Sequence, residues 1–222
     1  MLKNFDEIKA EILLRAKKTK ACDKEFKRAE NAESYSELIR VITDNFYFSC
    51  FNKIIDVPML ENIGKDICNE NNLFFNVSTD KGYLIVDSAT VRAWGSATVE
   101  VYGSATVDAS DSATVRASGS ATVRASGSAT VEASDLATVE AWGSATVRAW
   151  GSATVRASGS AIVRAWDSAT VEASGSAYIN SYNSIEHKIS DKTILRYFYE
   201  NRVVLADENS FKPIKNASDE KR

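Results

Sequence analysis

From Ser88 to Asn183 the chain reads SATVRAWG, SATVEVYG, SATVDASD, SATVRASG, SATVRASG, SATVEASD, LATVEAWG, SATVRAWG, SATVRASG, SAIVRAWD, SATVEASG, SAYINSYN. These are twelve uninterrupted octapeptides, and self-similarity of this kind decides the architecture before any other feature. Within each unit, positions 2, 4 and 6 are small and apolar, mostly Ala, Val and Ala. Positions 3, 5 and 7 are Thr, a charged residue, and Trp, Tyr or Ser. A period of two is the signature of a strand with one face inward and one outward. Position 8 is Gly, Asp or Asn and position 1 is nearly always Ser, both suited to a tight corner. One unit cannot bury its Ala-Val-Ala face, but stacked units can. The expectation is a parallel β-solenoid.

The charged position sets the size of a coil. In order it holds Arg92, Glu100, Asp108, Arg116, Arg124, Glu132, Glu140, Arg148, Arg156, Arg164, Glu172 and Asn180. If two octapeptides close one coil, one wall stacks Arg92, Asp108, Arg124, Glu140, Arg156 and Glu172, which alternate in sign throughout. The other stacks Glu100, Arg116, Glu132, Arg148, Arg164 and Asn180, which alternate until Arg164. Three units per coil would set Arg92 on Arg116; one would set Arg116 on Arg124. Opposite charges on adjacent strands contribute roughly 0.2–1 kcal/mol each, and like charges oppose pairing. Two octapeptides per coil is therefore favoured, giving a two-sheet solenoid of about six coils, ~29 Å long at the usual strand spacing.

Outward from the repeat, residues 1–72 read as a helical domain. Asn4 with Glu7, and Ser34 with Glu37, are capping signatures ahead of apolar residues at helical spacing. The second of these leads one helix through Leu38, Val41, Ile42, Phe46 and Phe51. A short helix with Phe26 and Ala29 lies between them, and Pro58 suits the first turn of another helix through Leu60, Ile63 and Ile67. Residues 73–87 form a strand-like junction. Residues 184–206, where the repeat decays, are expected to be a β-rich, aromatic cap, and residues 207–222 a disordered tail. The fold class is thus mainly β, with a helical N-terminal domain and a short C-terminal cap.

The 222 residues carry a formal net charge of −3, which gives no electrostatic reason to expect nucleic acid or a membrane surface as partner. Three cysteines (Cys22, Cys50 and Cys68) form no disulfide framework and are expected to pack as small apolar side chains in helices. With no apolar leader and no long apolar run, a soluble, cytoplasmic protein is expected. The single histidine, His187, is expected at the surface or in the cap. No phosphate loop, CxxC or HExxH motif occurs, so no enzyme, cofactor or metal site is expected. The Thr column at position 3 reads as sheet stabilisation.

The repeat breaks its own rules in one neighbourhood. Trp150, Trp166 and Tyr182 fall in successive coils at position 7. Arg148 and Arg164 beside them are like-charged neighbours, and Ile162 and Tyr178 replace Thr. Aromatics next to arginine suit a protein interface or a base- or sugar-stacking site. The alternative is that the 184–206 segment folds back over them. Trp94 and Trp142, three coils apart on the other wall, read as isolated.

The Ile8–Phe51 helices followed by repeats such as SATVRAWG resemble a group of uncharacterised proteins of gut bacteria and their phages. Those proteins pair a helical segment with G-[NS]-A-x-V-x-A-[WYF] octapeptides. The likeness is one of architecture and brings no activity with it. More loosely the tract is similar to bactofilins, whose β-helical cores polymerise, and to insect β-solenoid antifreeze proteins. The latter display Thr-x-Thr, and here the second Thr position is charged, so ice binding is not expected. The function expected is a non-enzymatic scaffold that binds a protein partner. The alternatives are a self-assembling, homo-oligomeric filament and, from the phage resemblance, an inhibitor of a bacterial defence system.

Overall fold

The computed structural model describes residues 4–207 and 210–214. Six helices come first: α1 (Phe5–Lys18), α2 (Asp23–Glu30), α3 (Tyr35–Asp44), α4 (Phe46–Phe51), α5 (Val57–Ile63) and α6 (Lys65–Glu70). Asn4 and Glu7 form the full capping box of α1, and Ser34 accepts from the Glu37 N–H ahead of α3. Two helices expected to be continuous are each broken. Asn45 leaves the helical region and its side-chain amide bonds the Val41 carbonyl and Glu25, ending α3 before α4. Gly64, with φ of 104°, separates α5 from α6. The helical core of Ile8, Leu38, Ile39 and Leu60 is continuous with Leu73 and Ile85, so the domain is seated on the first coil.

The strands β1 (Leu73–Phe75) and β2 (Tyr83–Val86) precede twelve four-residue strands, β3 (Thr90–Ala93) to β14 (Tyr178–Ser181), one per octapeptide. They separate into a long sheet of eleven strands and a short sheet of seven, with alternate octapeptides in each. Arg92 lies beside Asp108 and Glu100 beside Arg116, in parallel register sixteen residues apart. The ion pairs follow: Arg116 to Glu132 at 2.8 Å and to Glu100 at 3.3 Å, and Arg124 to Asp108 and Glu140 at 3.5 Å each. The inward Ala and Val side chains fill the space between the walls with almost no exposure.

The solenoid runs about one coil beyond the expected six, because the frame persists past Asn183. In Ser184–Asp191 and Lys192–Tyr199 the inner positions are occupied by Ile, His and Ile, then Thr, Leu and Tyr. They give β15 (Lys188–Ile189) and β16 (Ile194–Tyr197), each parallel to the coil before. The chain then reverses into β17 (Arg202–Asp207) and β18 (Ser210–Ile214), both antiparallel. Ser210–Ile214, expected within the disordered tail, is thus a sheet edge; residues 208–209 and 215–222 lie outside the described residues.

The corners explain position 8. Asp111, Asp135, Asp167 and Asp191 all take positive φ, between 50° and 58°. Each accepts, through Oδ2, the N–H of the glycine one coil earlier, as in Gly119 to Asp135 at 3.1 Å. Asp135→Ala should lose that bond and place a Cβ residue less tolerant of positive φ, costing about 2 kcal/mol. Asp135→Gly, which relieves the strain, should cost about 1 kcal/mol or less. Thermal melts of the pair check this ordering.

Candidate functional site: an aromatic and cationic face on the long sheet

All seven expected site residues fall on one face of the long sheet, on the strands Thr146–Ala149, Ile162–Ala165 and β14 and the corners after them. They form three parallel columns, because outward positions repeat every coil. Position 7 gives the ring column. Trp150 and Trp166 stack with centroids 5.2 Å apart at 11°, and Trp166 and Tyr182 at 4.7 Å and 5°. Position 5 gives Arg148, Arg164 and Asn180, and position 3 gives Ile162 beside Tyr178.

The C-terminal segment does not fold over this face; it lengthens it. Phe198 continues the ring column against Tyr182 at 4.9 Å. Arg196 joins the position 5 column and lies over Phe198, 5.1 Å from its centroid. Ile194 joins the position 3 column. Ile162 and Ile194 stay 40% and 38% exposed, an apolar strip beside the cations. These three residues escaped the reading of the sequence because the repeat's letters change after Asn183. Counting on in eights would have placed them.

Stacking also decides what the rings can offer. Both faces of Trp166 are taken by its neighbours, so the column presents ring edges. An edge-on column suits packing against a protein surface and leaves a flat ring face only at its end. The open ring face is on Trp150, toward Ser134. There a groove of about 1180 Å³ runs over Ser118 and Ser134 to the helical domain. Tyr47 of α4 forms part of its far wall, with the Arg116 guanidinium 4.3 Å from the ring centroid.

The charges differ sharply along this face. Glu132 holds both Arg116 and Arg148 within 3.0 Å, and these two arginines hold its carboxyl below the usual range against the opposing effect of burial. Glu100 is buried beneath α4, and burial lifts its pKa to about 7 despite Arg116. Arg164 sits in register between Arg148 and Asn180 and, among the described residues, makes no ion pair.

Two expectations need correction. His187 is buried, at a core position equivalent to Val, because Ser184–Asp191 is a further octapeptide. Its Nδ1 accepts the Val171 N–H at 3.2 Å and its Nε2 lies 3.0 Å from Ser181 Oγ. The first bond puts the proton on Nε2, which donates to the serine. Ser181 in turn donates toward Asn183, so in this arrangement the imidazole has no lone pair for the serine's proton. Burial lowers the pKa of His187 to about 4. The second correction is Cys22, which is exposed at the start of α2, whereas Cys50 and Cys68 are buried as expected.

Among the described residues no cluster of three metal-ligating side chains occurs, and no helix is long and apolar enough to cross a membrane. Comparison with known proteins finds no matching family model, curated protein or solved structure.

Proposed function

We propose that this chain is a non-enzymatic β-solenoid scaffold that binds a protein partner through the aromatic and cationic face of its long sheet. One observation carries this reading. Arg164 interrupts a charge ladder that alternates elsewhere, and it does so beside stacked rings and exposed isoleucine. Like charges in register cost stability, so a sequence that keeps them has a use for them. The chemistry fits an acidic segment with apolar side chains: carboxylates for Arg148, Arg164 and Arg196, and apolar groups for the ring edges and Ile162. A cytoplasmic location fits the same reading, since its three cysteines are free.

Polymerisation end to end is the weaker reading, because the N-terminal end is blocked. Leu73 of β1 is buried among the helices. On the short sheet the 78–80 segment already occupies the edge of β3, with Thr79 bonding the Arg92 carbonyl and the Trp94 N–H.

Arg164→Glu restores alternation beside Arg148 and should stabilise the fold by about 0.2–1 kcal/mol. The same change should abolish recovery of the partner in a pull-down from the native host, as should Trp150→Ser with Trp166→Ser. Unchanged recovery with both variants folded would reject this surface.

A further inference from the structure

The opposite face of the solenoid carries its own pattern. On the short sheet, position 7 runs Trp94, Ser110, Ser126, Trp142, Ser158 and Ser174, coils one to six. Position 5 runs Arg92, Asp108, Arg124, Glu140, Arg156 and Glu172. Trp94 and Trp142 are 39% and 41% exposed, with no aromatic neighbour in the adjacent coils. They are not isolated features: they frame two hollows. One, of about 660 Å³, lies between them over Ser110 and Ser126. The other, of about 500 Å³, lies beyond Trp142 over Ser158 and Ser174.

We infer that this face is a self-complementary docking surface for a second copy of the same chain. The second copy is turned end for end about a two-fold axis parallel to the strands, so coil one faces coil six, two faces five, and three faces four. Every charge of these six coils then meets its opposite: Arg92 with Glu172, Asp108 with Arg156, and Arg124 with Glu140, each twice by symmetry, while Lys188 of the seventh strand lies outside these pairs. Every tryptophan meets a serine. Trp94 of one copy enters the hollow over Ser174 of the other, and Trp142 enters the hollow over Ser126. The two Trp142 rings come to lie one coil spacing apart, ~4.8 Å along the axis. The long sheet shows that rings at that spacing stack in this solenoid, as Trp150 and Trp166 do at 5.2 Å.

Competing registers fail on one pattern or the other. Sliding by one coil sets arginine against arginine. Sliding by two coils one way drives Trp94 into Trp142; the other way leaves Trp94 unopposed. A two-fold axis along the solenoid sets each charge against its own copy. Charge alternation has an intrachain use and alone would prove little. The spacing of the two tryptophans does not follow from it, yet it picks out the one register that seats both rings and pairs the charges of the first six coils.

The footprint is ~29 Å by ~20 Å, or about 600 Å² per copy, at the low end for specific interfaces. Association should therefore be micromolar, and the charge pairs should make it weaken about tenfold between low salt and 1 M salt. Sedimentation velocity of the full chain over a concentration series tests it. Ser126→Trp, which sets ring against ring, should weaken association at least tenfold, and Trp142→Ser, which empties the slot, should weaken it as well. The double variant Ser126→Trp with Trp142→Ser exchanges ring and slot across the axis and should restore association. That recovery also shows that neither single change acts by unfolding. Trp166→Ser, on the long sheet, should leave association unchanged. A wild-type monomer at all concentrations, an undiminished Ser126→Trp dimer, a double variant that stays weak, or a loss with Trp166→Ser would each overturn the inference.

Discussion

Ala133→Leu should destabilise the protein by more than 3 kcal/mol, and by more than Val131→Ala, reversing the usual order of core substitutions. In most cores the truncation is the worse change, about 2–5 kcal/mol for large-to-Ala, with smaller losses for Val. Here Ala133 and its equivalents one coil away, Ala117 and Ala149, are at most 3% exposed and packed between two walls held by backbone ladders. Extra methylenes have no unfilled volume to enter, so the walls must part and break register on both sides. Each coil touches only its neighbours, so a defect in the middle coils should split one melting transition into two. Calorimetry of both variants reads the order of stability and the number of transitions together. A single transition with Val131→Ala the less stable variant would show that the core is looser than its burial indicates.

The second large effect is acid sensitivity from His187. Burial lowers its folded pKa to about 4 from an ordinary value of 6.5. Between those values the unfolded chain binds a proton that the folded chain refuses, so stability falls as pH drops from 6.5 toward 4. At pH 5 the loss from this group is about 2 kcal/mol, growing to about 3 kcal/mol below pH 4. His187→Gln keeps an acceptor for the Val171 N–H and cannot titrate, so its stability should be flatter in acid by that amount. Glu100 acts in the opposite sense. Its folded pKa, raised to about 7 by burial, favours the protonated carboxyl, so its contribution is present below 4.5 and lost as pH rises to 7. Urea titrations of the wild type, His187→Gln and Glu100→Gln at several pH values separate the two slopes. An equal acid loss in wild type and His187→Gln would show that the imidazole is hydrated in the folded chain.

The charge ladder made the coil legible because sign alternation is a long-range pairing signal written at fixed intervals. Arg92, Asp108 and Arg124 imply their own register, and the backbone honours it. The ring column was legible for the same reason: any outward position recurs on its own wall every sixteen residues. The helix boundaries were less so. The apolar spacing through Phe46 is indifferent to the local bond from Asn45 to Val41 that interrupts it. The seventh coil was hidden because its frame survives while its letters change, with His187, Thr193 and Tyr197 in core positions and all buried.

What the sequence determined by itself is therefore periodic: strand, corner, coil size, and which side chains share a column. Those follow from covalent spacing and the geometry of a parallel ladder, and need no knowledge of distant contacts. The tertiary structure alone decided what is not periodic. It seats α4 over Glu100 so that a groove ends at Tyr47. That depends on segments far apart in the chain meeting through shape and burial, and such a meeting leaves no repeating mark on the residues that make it.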